Sequence, residues 1–444
     1  MKMRLRSSTI LLIAMLAIAL VIAWWASLDS DSGVGRRSES HEVSVENVTT
    51  SRGGEPDAGS VPKSAAAKPS KPAVQRPDAL LESLRSKLQA ANVVPHEALL
   101  TFRSAEARDR FAREAAGRGL EVLDTIAQLN TARARYGRLE DLRDSIAANA
   151  DEYANVEGNL WLSIPSAPPA PDPNNEGGRE PFGYRMLDAI NAGGDRTHWG
   201  DKVTVAVLDT GVLPHPTFTE GQITHVDLVN DGQPFNSHGT SVASIVGGQN
   251  PQAPGVAPGA HILDIRVAGA DGYSASATLA QGIVTAVDCG AQVINISLGG
   301  YGDSVILAQA VTYASQHGAV VVAAAGNDAY GQLAIPAAYE TVISVGSVDA
   351  NNRQAYFSNA GAGLDLAAPG VGVVSAWGTD KIALVSGTSQ SSALVSAAAA
   401  TYLSWGVLPN TVAARLKADA RPAFNSSGVA TGVGILMIKP PARR

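Results

Sequence analysis

The 444-residue chain has a single cysteine, few aromatic side chains (5%), few charged ones (17%) and no excess of basic over acidic residues. Each shortage excludes something. One thiol, Cys289, rules out an internal disulfide framework and any metal site built from several cysteines, and it leaves the redox compartment unread. As a lone small side chain, Cys289 is expected to be buried. A formal net charge of −7 lacks the basic footprint of nucleic-acid binding, so no nucleic-acid partner is expected. Alanine and glycine are plentiful instead, and such small residues suit tightly packed α/β layers as well as flexible linkers. The length exceeds that of one ordinary domain and is read as two folded units with connectors.

Lys2, Arg4 and Arg6 precede an apolar run over residues 10–26, and polar sequence with Asp29 and Asp31 follows. That order is an export signal. The run is close to the shortest length that spans a bilayer, and Trp24 and Trp25 stand at its outer end, where interfacial anchors lie. Ala26 is small enough for a signal-cleavage site, but the bulky Trp24 occupies the other position that wants a small residue. Residues 1–26 are therefore either a retained anchor, holding the protein on a membrane through residues 10–26, or a cleaved signal. In both cases the remainder is exported, secreted or anchored outside the cytoplasm. Residues 27–79, rich in Ser, Gly, Pro, Lys and Glu and without apolar periodicity, have the composition of a disordered tether.

Periodicity returns over residues 80–165. Residues 97–102 read as a strand, 105–117 as an amphipathic helix around Phe111, and 120–123 and 132–136 as two strands. Residues 139–148 follow as a helix with Leu142 and Ile146 on its apolar side, and 156–164 as a last strand. The order β-α-β-β-α-β is the ferredoxin-like split motif, a small α+β unit. Pro165, Pro168, Pro169, Pro171, Pro173, Gly177 and Gly178 then mark a linker over residues 166–182.

Over residues 183–444 the pattern changes. Strands at 203–208, 262–267, 293–298, 319–324 and 342–345 alternate with helices at 238–247, 279–288 and 304–317. Almost wholly apolar strands separated by helices predict an α/β fold, a parallel sheet covered by helices on both faces. Functional residues of such sheets collect at the carboxyl ends of the strands. Three segments there carry chemistry. In Val205-Ala206-Val207-Leu208-Asp209-Thr210-Gly211 a carboxylate ends a buried strand, where its charge is costly unless a partner such as an imidazole N–H uses it. Alone, Asp209 could simply cap the next turn. In Asn236-Ser237-His238-Gly239-Thr240-Ser241-Val242-Ala243 a histidine opens a helix of small residues, so its ring can face a cleft; His215, His225, His261 and His317 have no comparable setting. In Ser386-Gly387-Thr388-Ser389-Gln390-Ser391-Ser392-Ala393 a serine stands where free N–H groups and the helix dipole favour developing negative charge. A serine N-cap would look the same.

Taken together, the order Asp, His, Ser is that of subtilisin and not of chymotrypsin or the α/β-hydrolases. The three segments resemble the active-site motifs of the subtilase family. Gly255-Val256-Ala257-Pro258-Gly259-Ala260, Ile294-Asn295-Ile296-Ser297-Leu298-Gly299-Gly300, Ala323-Ala324-Ala325-Gly326-Asn327 and Phe357-Ser358 with Ala367-Ala368-Pro369-Gly370 resemble further family segments, and the likeness runs over about residues 184–438. It implies a subtilisin-like serine endopeptidase acting on protein or peptide substrates. Ser389 is then the nucleophile, His238 the general base, Asp209 its orienting partner and Asn327 an oxyanion donor. Ser297, Leu298 and Gly299 are implied to pair with substrate as an added strand. No cofactor is required by that chemistry. The resemblance also gives the first unit a meaning, that of a pro-domain that acts as an intramolecular inhibitor and is cut away by the enzyme within or just before residues 165–180. A monomer is expected.

The chain departs from the family pattern in three places. Ala393 replaces the usual proline, a small change because alanine is the best helix former. Gln390 replaces an apolar residue, and the sequence offers no account of it. The 247–255 loop is short and without acidic residues, which does not support a bound calcium there and leaves calcium elsewhere open; no metal ligand set is recognised. Two rival readings are a catalytically inactive subtilase-fold surface or binding protein and a dinucleotide-binding oxidoreductase. The second lacks the full G-x-G-x-x-G fingerprint after the unit's first strand, where Asp209-Thr210-Gly211 stands.

Overall fold

A computed structural model of the chain describes residues 77–166, 179–424 and 430–441. The apolar run at 10–26, the tether up to residue 76 and linker residues 167–178 lie outside them. The first unit begins with α1 (Pro77–Leu88), which the sequence pattern does not announce. It continues as β1 (Val93–Phe102), α2 (Ala105–Glu114), β2 (Leu120–Ile126), β3 (Thr131–Tyr136), α3 (Leu139–Ala148) and β4 (Tyr153–Ser163). Its strands lie in the order β2-β3-β1-β4, all antiparallel. Ser104 starts α2 by accepting the Ala107 N–H at 3.2 Å, which satisfies one of the free donors of the first turn.

Alternation along β1 decides the layering, because successive side chains leave opposite faces of a sheet. Ala98, Leu100 and Phe102 pack under the helices with Phe111, Leu142 and Ile146. Leu99, with Leu160 and Leu162 of β4, faces the other way and joins a core that contains residues of the second unit.

The second unit runs β5 (Thr204–Asp209), β6 (Ile223–Asp227), α4 (Ser237–Gly247), β7 (His261–Arg266), β8 (Tyr273–Ala275), α5 (Ser276–Asp288), β9 (Val293–Ile296), α6 (Val305–Gln316), β10 (Val320–Ala324), β11 (Ile343–Val348) and β12 (Leu366–Pro369). The hairpin β13 (Val373–Trp377) and β14 (Lys381–Val385), then α7 (Thr388–Ser404), α8 (Pro409–Asp419), β15 (Arg421–Phe424) and β16 (Ala430–Ile435) complete it. Nine strands form one sheet in the order β6-β7-β5-β9-β10-β11-β12-β16-β15, parallel except for the β16–β15 pair. Val205 and Val207 of β5 enter a core with Val242 and Ile245 of α4 and Leu394 of α7, while Ala206 and Leu208 enter another with Ile283 of α5 and Leu307 of α6. Helices therefore cover both faces, which is why the strands read as continuous apolar runs.

Strand β5 lies between β7 and β9. The chain crosses from one side of β5 to the other between those two strands, so the loops at their carboxyl ends diverge and leave a crevice. Strand β8 belongs to the second unit in sequence but pairs antiparallel with β4, extending the first unit's sheet. Hydrogen bonding and a shared core thus join the two units. One expectation is corrected. Cys289 is exposed, because it caps the carboxyl end of α5 beyond the last core residue, Ala286, and precedes a left-handed turn at Gly290 (φ 79°) that leads the chain along the surface.

Candidate active site

Asp209 ends β5 and is fully buried. Its carboxylate accepts the Thr210 backbone N–H at 2.8 Å and faces His238 Nδ1, which lies 2.8 and 3.0 Å from its two oxygens. A buried charge without such partners would be strongly unfavourable. His238 is the second residue of α4, whose N-cap Asn236 accepts the His238 N–H at 3.0 Å. Two glycines allow this approach. Gly211 turns with φ 91°, and a Cβ on Gly239 would come within 2.4 Å of the Gly211 carbonyl oxygen.

Ser389 is the second residue of α7, at the helix's amino end. Its hydroxyl donates to the Ser297 carbonyl at 3.2 Å; among the described residues it makes no hydrogen bond to His238. Asn327, in the loop after β10, accepts Thr388 N–H at 3.0 Å and Thr388 Oγ1–H at 2.8 Å through its Oδ1. Anchoring the oxygen leaves the Nδ2 donor to face the pocket. His238, Asn327 and Ser389 line one pocket of about 610 Å³, with Asp209 behind the imidazole.

The implied substrate strand lies on the same crevice. Gly299 exchanges both backbone hydrogen bonds with Ser163 at 2.9 Å, and Ile164 N–H donates to Gly272 carbonyl at 2.9 Å on the opposite side. Residues 163–164 of the first unit are thus held between two backbone segments, and Ile164, Pro165 and Ser166 line the pocket. The Leu298 side chain is buried in the core and anchors the strand without facing the crevice. The first unit also meets the amino ends of two helices. Glu157 accepts the Val305 and Ile306 N–H groups of α6 at 2.8 and 3.0 Å, and Asn159 Oδ1 accepts the Ala277 N–H of α5 at 3.0 Å. Those are donors that a helix leaves unsatisfied by itself.

Two buried side-chain clusters escaped the sequence reading. Asn359, fully buried, binds the loop on both sides of Asn327. Its Nδ2 donates to Ala325 carbonyl (3.0 Å) and to the Tyr301 hydroxyl (2.7 Å), and its Oδ1 accepts Asp328 and Tyr330 N–H groups (3.0 and 2.9 Å). The Tyr301 hydroxyl also binds Asp328, and burial together with that carboxylate pushes the phenol upward. Asn359 directly follows the family-like Phe357-Ser358, which was the available signal. The second lies around His225, on β6. Its Nδ1 lies 2.6 Å from Oδ2 of Asp264, a fully buried carboxylate on β7 that also accepts the Val212 N–H at 2.9 Å. Burial pushes the Asp264 carboxyl up, and the hydrogen bond to Asp264 pushes the His225 imidazole up. Neither residue has a local sequence motif.

Gln390 lies in the pocket wall with its Oε1 buried and unpartnered. Ala393 is buried within α7 without disturbing the helix. Among the described residues no group of three or more His, Cys, Asp or Glu side chains is arranged to hold a metal.

Residues 200–439 match the family model described as the Subtilase family. The chain is 40% identical over 223 residues to Subtilisin BL of Lederbergia lenta, covering 50% of this chain and 82% of that protein. It is 43% identical over 209 residues to the Thermophilic serine proteinase of Bacillus sp. (strain AK1), covering 46% of this chain and 52% of that one. Among solved structures it is similar to fervidolysin from Fervidobacterium pennivorans, described as a keratinolytic enzyme related to subtilisin. There the TM-score is 0.67 at 25% identity, over 80% of this chain and 63% of the other.

Proposed function

The chain belongs to the subtilase family and is a subtilisin-like serine protease, and from that premise we propose that Asp209, His238 and Ser389 cleave peptide bonds of protein substrates in an exported, self-processing zymogen. The observation that carries the assignment is the contact of His238 Nδ1 with the fully buried Asp209, on an imidazole that shares a pocket with Ser389 and Asn327.

In this mechanism Asp209 keeps the Nδ1–H tautomer, so Nε2 is the basic nitrogen. Nε2 takes the Ser389 hydroxyl proton as Oγ adds to the scissile carbonyl and returns it to the departing amine. The tetrahedral oxyanion is met by Asn327 Nδ2–H and the Ser389 backbone N–H at the amino end of α7. Backbone groups of Ser297 and Gly299 pair with substrate as an added strand, a recognition that is indifferent to most side chains. No step calls for a metal or cofactor.

Residues 80–165 are the pro-domain of this zymogen, and residues 1–26 deliver it outside the cytoplasm. The inhibitory role is supported by residues 163–166, which occupy the crevice beside Ser389, and by Glu157 and Asn159 at the two helix ends. Self-cleavage falls within or just before residues 165–180. The test is labelling with a serine-directed fluorophosphonate. The processed wild type is expected to be labelled and Ser389→Ala is not; an unlabelled processed wild type would mean an inactive binding protein.

A further inference from the structure

The tail of the first unit enters the crevice in a definite register. Ser163 and Gly299 bond to each other through both N–H groups and both carbonyls, at 2.9 Å each. In an antiparallel pairing such doubly bonded pairs recur at every second residue. The next pair in this register is therefore residue 165 with Ser297. At that step the tail carries proline, which has no N–H to give. The Ser297 carbonyl receives the Ser389 hydroxyl instead, at 3.2 Å. The missing donor and the misdirected nucleophile meet on one oxygen atom.

We propose that Pro165 makes residues 163–166 a substrate-register inhibitor that this active site does not cut, so that self-processing is directed to a bond beyond Ser166. The inference rests on the reading of the first unit as a pro-domain and of Ser389 as nucleophile. Two effects act together. The peptide bond after residue 165 loses the hydrogen bond that would hold its acyl side against Ser297. The Ser389 hydroxyl also donates to that same carbonyl and makes no hydrogen bond to His238. A residue with an N–H at position 165 reverses both, because it occupies the Ser297 carbonyl and frees the hydroxyl for His238. Cleavage of the 165–166 bond then follows the ordinary course. Ser389 Oγ adds to the carbonyl carbon of residue 165, and its proton passes through His238 to the nitrogen of Ser166. The C–N bond breaks, and one water hydrolyses the acyl-enzyme.

Position 165 is half-buried at the mouth of the crevice and takes no part in a core, so substitution there leaves folding intact. The experiment follows full-length wild type, Pro165→Ala, Pro165→Gly and Ser389→Ala over time by intact mass and N-terminal sequencing. Wild type is expected to yield a product that starts beyond Ser166. Both position-165 variants should release a product starting at Ser166, with first cleavage faster by roughly tenfold, the order expected for one recovered hydrogen bond to the reacting segment. Ser389→Ala should stay full length. A wild-type product that starts at Ser166, or variants that keep the wild-type start, would overturn the role of Pro165 and leave the zymogen reading standing. If no chain is processed, or if Ser389→Ala is processed like the rest, both readings fall together.

Discussion

Two aspartate–histidine pairs sit on neighbouring strands of the same sheet, and they differ in what lies around them. Asp209 of β5 and Asp264 of β7 are both fully buried, and each binds a histidine Nδ1, at 2.8 and 2.6 Å. Both carboxylates also accept a backbone N–H of the turn after β5, from Thr210 and from Val212 respectively. There the likeness stops. His238 faces a pocket that holds a serine at a helix amino end and an amide side chain, whereas His225 lies tilted against the Phe235 ring, 5.0 Å between centroids. Both Asp209 oxygens are engaged by partners, while Asp264 Oδ1 has none. The same two side chains face a pocket in one place and brace a turn in the other, and only their neighbours decide which.

Removing the carboxylate from each pair in turn gives the largest contrast. Asp209→Asn should lower kcat by about 10⁴-fold through the wrong imidazole tautomer, measured on chain processed in trans by the wild-type protein, with little change in stability. Asp264→Asn should leave turnover within about tenfold of wild type, since no reacting group touches it. Equal losses of turnover in the two variants would erase the distinction. Next in size is the amide donor that only the first pair faces. Asn327→Ala should cost on the order of 10²–10³-fold in kcat with KM nearly unchanged.

The loop that carries the donor provides a finer comparison. Asn359→Ala should reduce kcat by roughly tenfold and add nothing in an Asn327→Ala background, because residues that act as a unit are not additive. Independent, additive losses would show that Asn359 acts elsewhere. His225→Ala should cost about 1–3 kcal/mol of stability by leaving the Asp264 carboxyl without its histidine, read from denaturant midpoints. The smallest effect is the pH dependence of stability. The hydrogen bond with Asp264 holds the His225 imidazole above its ordinary range, so across that range the folded chain binds more protons than the unfolded one. That contribution is complete below the unfolded imidazole pKa and is lost as pH rises through the folded one. Stability should therefore decline as pH rises past the ordinary imidazole range, and His225→Ala should flatten that decline. Asp227, which raises the imidazole further, and Arg266, which opposes it, share the surroundings.

Much of the fold was legible because buried parallel strands are apolar throughout. Strands β5, β7, β9 and β10 lie within a residue or two of the runs that announced them. Strand β6 (Ile-Thr-His-Val-Asp) escaped notice because it is a half-exposed edge strand without an apolar run, and β8 because its three residues gain their partner only from β4. Helix α1 has a weakly apolar composition and is fixed by Leu84 and Leu88 packing in the first unit's core.

The sequence by itself determined the family, the α/β class and the chemical types at Asp209, His238, Asn327 and Ser389, because those depend on short segments that carry their own turns and caps. Tertiary structure alone decided that His225 has a buried partner, that Asn359 secures the loop that carries Asn327 and that Cys289 faces solvent. It alone also decided that Ser163 pairs with Gly299, which sets the register of the residues that follow. Each of these is a meeting of residues far apart in the chain, set by sheet order and strand register, and no local pattern records a register between strands.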